Sequence, residues 1–481
     1  MKRFVCAIPI VVAAAALMAC GRSGEEAASR FLSSGEGYLQ KGELKAALIE
    51  LQNAVKAKPD LAEAHEALGR AYKASGEPGK AYASFVRAGE LRPDDANAQL
   101  QAGTLLLAAG DYRGARSHAE RAVAAAPTNA SAHILLGNAL AGAKETRLAI
   151  EQMEQAIALN PDYAPAWAAL GGVTLLKGDR DKAAKAYQRA VQLAPRSADA
   201  HLALANFYWL TGDIQAVERT LLTAHQIDQR NPLVHRALAT LYLTSRRAAQ
   251  AEPHFKALAA TPSGRIALAS YYAAMGRAQD ARVELDGVLE QSPQNAGAHL
   301  AMAQLLLTTG GDTAEVERHA REAVRLDANL VAAGTLVAML HESRGDDNAA
   351  RAEYERILAI RPRAAIAANN LAWIYAEQGR IDEAIALAGT ARDEMRRRPE
   401  PEDTLGWALL KKGLVQEAIG SFERAVVRAP KSPTYQYHLG LAYASAGNTA
   451  RARVALTSAL SLQPDFAGAA DARHVLSQLR P

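Results

Sequence analysis

One stretch recurs along almost the whole chain. Residues 164–197, APAWAALGGVTLLKGDRDKAAKAYQRAVQLAPRS, place Trp167, Leu170 and Gly171 early, Gly178 in the middle, and Ala183, Tyr187, Ala190 and Pro195 late. The spacing returns at a period of 34 residues, in units beginning at Ala28, Ala62, Ala96, Ala130, Ala164, Ala198 and Pro232, then Pro262, Ala296, Val331, Ala365, Pro399 and Pro433. Each residue type has a physical task. Small residues at Gly171, Ala183 and Ala190 let two antiparallel helices approach closely, and Trp167 fills the space between them. Pro195 ends the second helix, because it lacks an N–H and clashes with the preceding turn. A single pair of helices cannot cover both of its faces, so such units are stable only when stacked.

This W-x2-L-G … A-x3-F … P spacing resembles the tetratricopeptide (TPR) family. The resemblance covers Ala28 to about Phe466, with well-matched copies at Leu68, Gly69, Tyr72, Gly76, Ala81, Phe85, Ala88 and Pro93 and at Leu405, Gly406, Gly413, Ala418, Phe422, Ala425 and Pro430. It implies an all-α fold: an α-solenoid, a right-handed superhelix of about 13 helix–turn–helix repeats, closed by a C-terminal capping helix over residues 467–481. At 481 residues the chain exceeds what one core can serve, and 49% apolar residues with only 5% aromatic suit closely packed helices.

The repeats are regular over residues 28–231 and 296–466, and irregular over 232–295. Repeat 7 (232–261) is short, has Arg246-Arg247 near its turn and carries Pro253 in its second helix; repeat 9 has an extra residue near Gly310-Gly311. Because a solenoid propagates each local error, a change of curvature or a hinge is expected between about residues 245 and 265.

The N-terminus reads as an address. Met1-Lys2-Arg3 is basic and Phe4–Leu17 is apolar, too short to span a bilayer, so residues 1–19 are expected to be a signal peptide. The sequence Leu17-Met18-Ala19-Cys20-Gly21 resembles the lipobox of bacterial lipoproteins. That resemblance implies cleavage before Cys20, acyl chains on Cys20, and a tether over residues 20–27. With no Asp after the Cys, it also implies the periplasmic face of the outer membrane. Cys6 leaves with the leader, so the mature chain would hold neither free thiol nor disulfide. The net charge of +4, about +2 without Lys2 and Arg3, gives no electrostatic case for nucleic acid.

Twelve histidines raise the question of metal or catalysis, but His65, His133, His201, His235 and His299 all take the fourth position of their repeats, where repeat 5 has Trp167. They read as polar rings in the interhelix slot, since a 34-residue period separates them. No H-E-x-x-H, C-x-x-C, Walker A or G-x-S-x-G pattern occurs, so no metal, cofactor or catalytic residue is expected, and the chain reads as a non-enzyme. An envelope enzyme, such as a peptidoglycan-modifying one, would need a domain for which no stretch outside the repeats is long enough.

In TPR proteins the first helix of each repeat lines a concave groove through its second, fifth, ninth, twelfth and thirteenth positions. Transferred to this chain, Leu100, Leu107, Ile134, Leu175, Leu202, Trp209, Leu243, Ile266, Leu300 and Leu307 fall at the fifth and twelfth positions. Asn138, Asn206 and Gln304 fall at the ninth. Two readings stand: an apolar groove with amides that holds a protein segment, or leucines packed against the next helix. Trp209 is the best-placed contact. Glu66, Arg70 and Lys73 give the N-terminal end a polar mouth, and Arg396-Arg397-Arg398 would end the second helix of repeat 11.

The build is similar to that of TPR lipoproteins accompanying exopolysaccharide assembly and export, including those of PEP-CTERM systems. Asn369-Asn370-Leu371-Ala372-Trp373 and Asp403-Thr404-Leu405-Gly406-Trp407 carry the latter resemblance. It implies a membrane-anchored scaffold for protein partners, with polysaccharide a second candidate. Pilus or outer-membrane-protein assembly lipoproteins share the architecture.

Overall fold

The computed structural model describes the backbone of residues 10–479 and the side chains of residues 24–479 except Pro78. The basic start and the beginning of the apolar run lie outside the described residues, as does the side chain of Cys20. Among the described residues there are 27 α-helices and no strand.

The helices alternate as predicted. In repeat 5 the first helix (A) is Ala164–Leu176 and the second (B) is Arg180–Leu193. A helices begin at the expected residue in repeats 2 to 11, from Ala62 to Ala365. In repeat 12 Pro399 is the N-cap residue and the helix is Glu400–Lys411. Local chemistry fixes these starts. Asp95, Asn129, Ser197, Asn231 and Asn295 accept backbone N–H groups at the starts of A helices, and Asp111, Asp179 and Asp213 do so for B helices. Between A and B the chain reverses at a residue with positive φ, Gly178 (93°) in repeat 5. Repeats 4 and 7 make the same reversal with Lys144 (φ 67°) and Arg246 (φ 58°).

Close approach explains the small residues inside each pair. A Cβ on Gly171 would sit 2.8 Å from the Tyr187 ring, so only glycine lets that ring lie across the A helix. Ala183, Ala186 and Ala190 are buried on the facing side. The extra residue of repeat 9 is absorbed in its turn, between helices Ala296–Thr308 and Thr313–Leu326. The shortness of repeat 7 falls mainly on its B helix, Ala248–Leu258, which carries Pro253 without breaking.

Residues 20–27 are helical, part of a helix Ile10–Gln40 that continues into repeat 1. One expectation is revised. Arg396, Arg397 and Arg398 follow the B helix of repeat 11, which ends at Glu394. From there Arg396 donates to the Asp393 carbonyl, 3.1 Å, and Arg398 pairs with Glu400. At the C-terminus the helix Ala469–Gln478 buries Ala469 and Ala472 beside Leu456, Ala459 and Phe466.

The chain divides into two compact units, one ending at Arg246 and one beginning at Arg247, within the irregular interval. In both, A helices of several successive repeats touch one another, as in repeats 3 to 6 and 11 to 13, while no two B helices make a comparable contact. The A helices therefore line the inner side of each unit and the B helices the outer side.

Candidate protein-interaction surface

Thirteen residues were expected on the inner face. In the first unit Leu100, Leu107, Ile134, Asn138, Leu175, Leu202 and Trp209 are half-buried, while Asn206 and Leu243 are exposed. In the second, Ile266 and Leu300 are half-buried, and Gln304 and Leu307 are exposed. None is buried. Leu107, Ile134 and Leu175 each touch the hydrophobic core with one side and leave the other open. The two readings of the leucines thus meet in the same side chains. Two residues escaped the sequence reading: Leu176 and Leu210, at the thirteenth position, are 71% and 70% exposed. Beside Leu175 and Trp209 they form an apolar strip on repeats 5 and 6, and their position in the period was the available signal.

The inner face deepens at the N-terminal end into a cavity of about 610 Å³. Glu66, Arg70 and Lys73 come from the A helix of repeat 2 (Ala62–Ala74), at its fifth, ninth and twelfth positions. Tyr82 and Phe85 come from the B helix of that repeat, and Leu100, Thr104 and Leu105 from the A helix of repeat 3 (Ala96–Ala108). The polar mouth is therefore the rim of a mostly apolar cavity. Arg70 is held by Glu36 (2.8 Å) and Glu66 (3.0 Å), and Arg92 by Glu63 (2.9 Å) and Glu66 (3.0 Å).

The position-4 histidines bond to the backbone of the preceding repeat. Each places Nε2 on the carbonyl six residues earlier: His65 on Pro59, His133 on Pro127, His201 on Pro195, His235 on Gln229 and His299 on Pro293, at 2.9–3.1 Å. The Trp167 indole N–H reaches Pro161 in the same way, 2.8 Å. Each ring thus ties its A helix to the end of the preceding repeat. A second layer, unseen in the sequence, joins position 4 to the B helix. It pairs Gln99 with His118, His133 with Gln152, and His299 with His319 at 2.8, 2.8 and 2.9 Å. Burial lowers the pKa of His118, and burial with the Arg318 charge brings His319 down to about 4. Among the described residues, no group of three or more His, Cys, Asp or Glu is placed to hold a metal ion.

Tetratricopeptide repeat models match residues 106–173 and 174–241, 338–394 and 404–472, and a TPR repeat model matches residues 35–76. The chain belongs to the tetratricopeptide repeat proteins. Solved structures similar to this TPR chain include the APC/C hetero-tetramer Cut9-Hcn1, at 15% identity over 94% of this chain and 96% of that one, with a TM-score of 0.43. MamA of Desulfovibrio magneticus RS-1 is 28% identical over 34% of this chain and 94% of its own, TM-score 0.31. PilF of Pseudomonas aeruginosa is 20% identical over 45% and 99%, TM-score 0.33. A sequence comparison with curated proteins gives no match.

The last TPR repeats fill their inner positions differently. Trp373 and Trp407 occupy the ninth position of repeats 11 and 12 and stack at 5.6 Å with 16° between planes. His438 packs on Trp407 at 4.8 Å and donates from Nδ1 to the buried Asp403 carboxylate, 2.8 Å. Burial raises the Asp403 pKa, and the His438 bond opposes that rise. The Trp407 N–H is taken by Glu377, 2.6 Å. Beside them Glu342 accepts from Tyr354 (2.7 Å) and Asn370, its pKa raised by burial. The motif-bearing stretch of the sequence thus builds a ring stack, with Asp403, Trp407 and Asn370 hydrogen-bonded beside it and the buried Asn369 Oδ1 left without a partner. Among the described residues, no helix is long and apolar enough to cross a membrane.

Proposed function

We propose that this chain is a non-catalytic scaffold in the bacterial envelope, of the kind that TPR repeats generally build, holding a segment of a partner on the inner face of its A helices. The observation that carries the reading is the row of half-open apolar side chains from Leu100 to Trp209, continued by the exposed Leu176 and Leu210. Exposed aliphatic side chains in such a strip mark an interaction surface. Asn138 and Asn206 interrupt the row at the ninth position, where an amide can bond a bound backbone.

The anchoring follows from Leu17-Met18-Ala19-Cys20: acyl chains on Cys20 would keep the array at the outer membrane, facing the periplasm. Exopolysaccharide assembly or export is the process this build fits best, by its likeness to TPR lipoproteins of those systems.

The test is photocrosslinking in the producing cell, with a benzophenone side chain at Trp209 and, on the outer side, at Leu222. One discrete protein adduct from Trp209 and none from Leu222 supports the groove. Equal adducts from both, or none from Trp209 in a correctly fractionating protein, would sink it.

A further inference from the structure

The cavity at the N-terminal end of the inner face has a chemistry of its own. Its walls are mostly apolar: Tyr82 and Phe85 are half-exposed into it, opposite Leu100 and Leu105. Phe85 reaches this place because the A helix offers Gly69 there; a Cβ on Gly69 would lie 3.0 Å from the ring. At about 610 Å³ the space lies in the range of ligand pockets, enough to bury a large side chain together with the backbone that carries it.

The rim charges are not equivalent. Arg70 is engaged by Glu36 and Glu66, and Glu66 is shared with Arg92, which also holds Glu63 and, at 3.8 Å, Asp95, so these six groups bond one another. Lys73, one turn further along the same helix, is exposed and has no ion-pair partner among the described residues. The cavity therefore presents an apolar interior and, at its edge, one cation that no carboxylate contacts. An occupant that matches both must join an apolar body to a carboxylate.

We propose that this cavity receives a partner segment that inserts a large apolar side chain between Phe85 and Leu100 and sets the carboxylate of an adjacent Asp or Glu against Lys73. The inference rests on the reading of the inner face as a protein-binding groove and names the segment that its N-terminal end selects. Phe85 and Tyr82 supply the contact area. Lys73 supplies the discrimination, since a lone lysine adds little energy to an exposed pair but distinguishes an acid from its amide.

The test uses two dyes with the same ring system. 8-Anilinonaphthalene-1-sulfonate carries an anion and N-phenyl-1-naphthylamine does not. The full mature chain is expected to bind the sulfonate about fivefold more tightly than the neutral dye at low salt, and Lys73→Gln to remove that preference. Thr104→Trp, at an exposed position on the cavity wall, should fill the space and weaken both dyes at least tenfold. A peptide acetyl-Gly-Phe-Asp-Gly-amide should then displace the sulfonate at lower concentration than its Phe-Asn counterpart, in the wild type only. Circular dichroism checks that each variant is folded.

Equal binding of the two dyes by the wild type would overturn the role of Lys73. Unchanged dye binding by Thr104→Trp would overturn the site itself. The outcome is separable from the Trp209 crosslink. Selective displacement without a Trp209 adduct leaves the cavity standing and removes the longer groove, and a Trp209 adduct without dye selectivity does the reverse.

Discussion

Replacing His319 by Gln should remove a specific part of the acid sensitivity of the second unit. His299 donates from Nε2 to the Pro293 carbonyl, which leaves its Nδ1 as an acceptor. His319 must then donate from Nδ1, and its Nε2 accepts from Arg318 at 3.1 Å. Every ring nitrogen is satisfied only if both histidines are neutral. A proton on either ring sets donor against donor or an imidazolium against the Arg318 guanidinium, in a place where the His319 side chain is buried. The folded pKa of His319 accordingly lies near 4, against 6.5 in the unfolded chain. The unfolded state therefore takes up the proton first, and stability present above pH 6.5 is lost as the pH falls towards 4. At about 1.4 kcal/mol per decade that is at most about 3 kcal/mol. Solvent screening by way of the exposed Arg318 reduces it to about 1–2 kcal/mol. Glutamine can turn its amide N–H towards His299 Nδ1 and does not titrate; repeat 4 has a glutamine at the corresponding place, with Gln152 Oε1 2.8 Å from His133 Nδ1. Urea unfolding followed by circular dichroism at pH 7, 5.5 and 4.2 measures the effect. Wild type and His319→Gln should be within about 0.5 kcal/mol at pH 7, with the variant ahead by about 1–2 kcal/mol at pH 4.2. Contributions from His118 and His225 cancel in the difference. Parallel curves across the whole range would refute the neutral pair.

Three further outcomes follow from single positions. Lys144→Gly, at a left-handed residue where eleven other turns have glycine, should stabilise the first unit by about 0.5–1 kcal/mol in urea unfolding. Phe422→Ala, which empties a fully buried ring lying against Gly406, should cost the second unit about 3–5 kcal/mol in the same assay. Cys20→Ser should abolish incorporation of labelled palmitate and release the protein from the membrane fraction; retention of both would exclude Cys20 as the anchor.

The repeat period determined the architecture by itself. Gly178, Ala183, Ala190 and Pro195 occur where two helices must turn, touch and stop, so the A-helix starts were legible without coordinates. So was the structural use of the position-4 histidines, because their spacing keeps them a repeat apart. What the sequence could not supply was anything that depends on which repeats share a face and how far a side chain stands out. The cross-helix pairs made at position 4, Gln99 with His118 or His299 with His319, join residues about 20 apart on two helices, and no local pattern marks them. Glu66, Arg70 and Lys73 looked like a uniform polar mouth; the fold locked Arg70 and Glu66 into ion pairs and opened an apolar cavity behind Lys73. Leu175 and Leu176 are neighbours of the same type, yet one packs half into the core and the other is 71% exposed. Helix formation and turn placement are local, written in period and residue size. Burial, pairing and the depth of a cavity are set by neighbouring repeats, so only the stacked structure decides them.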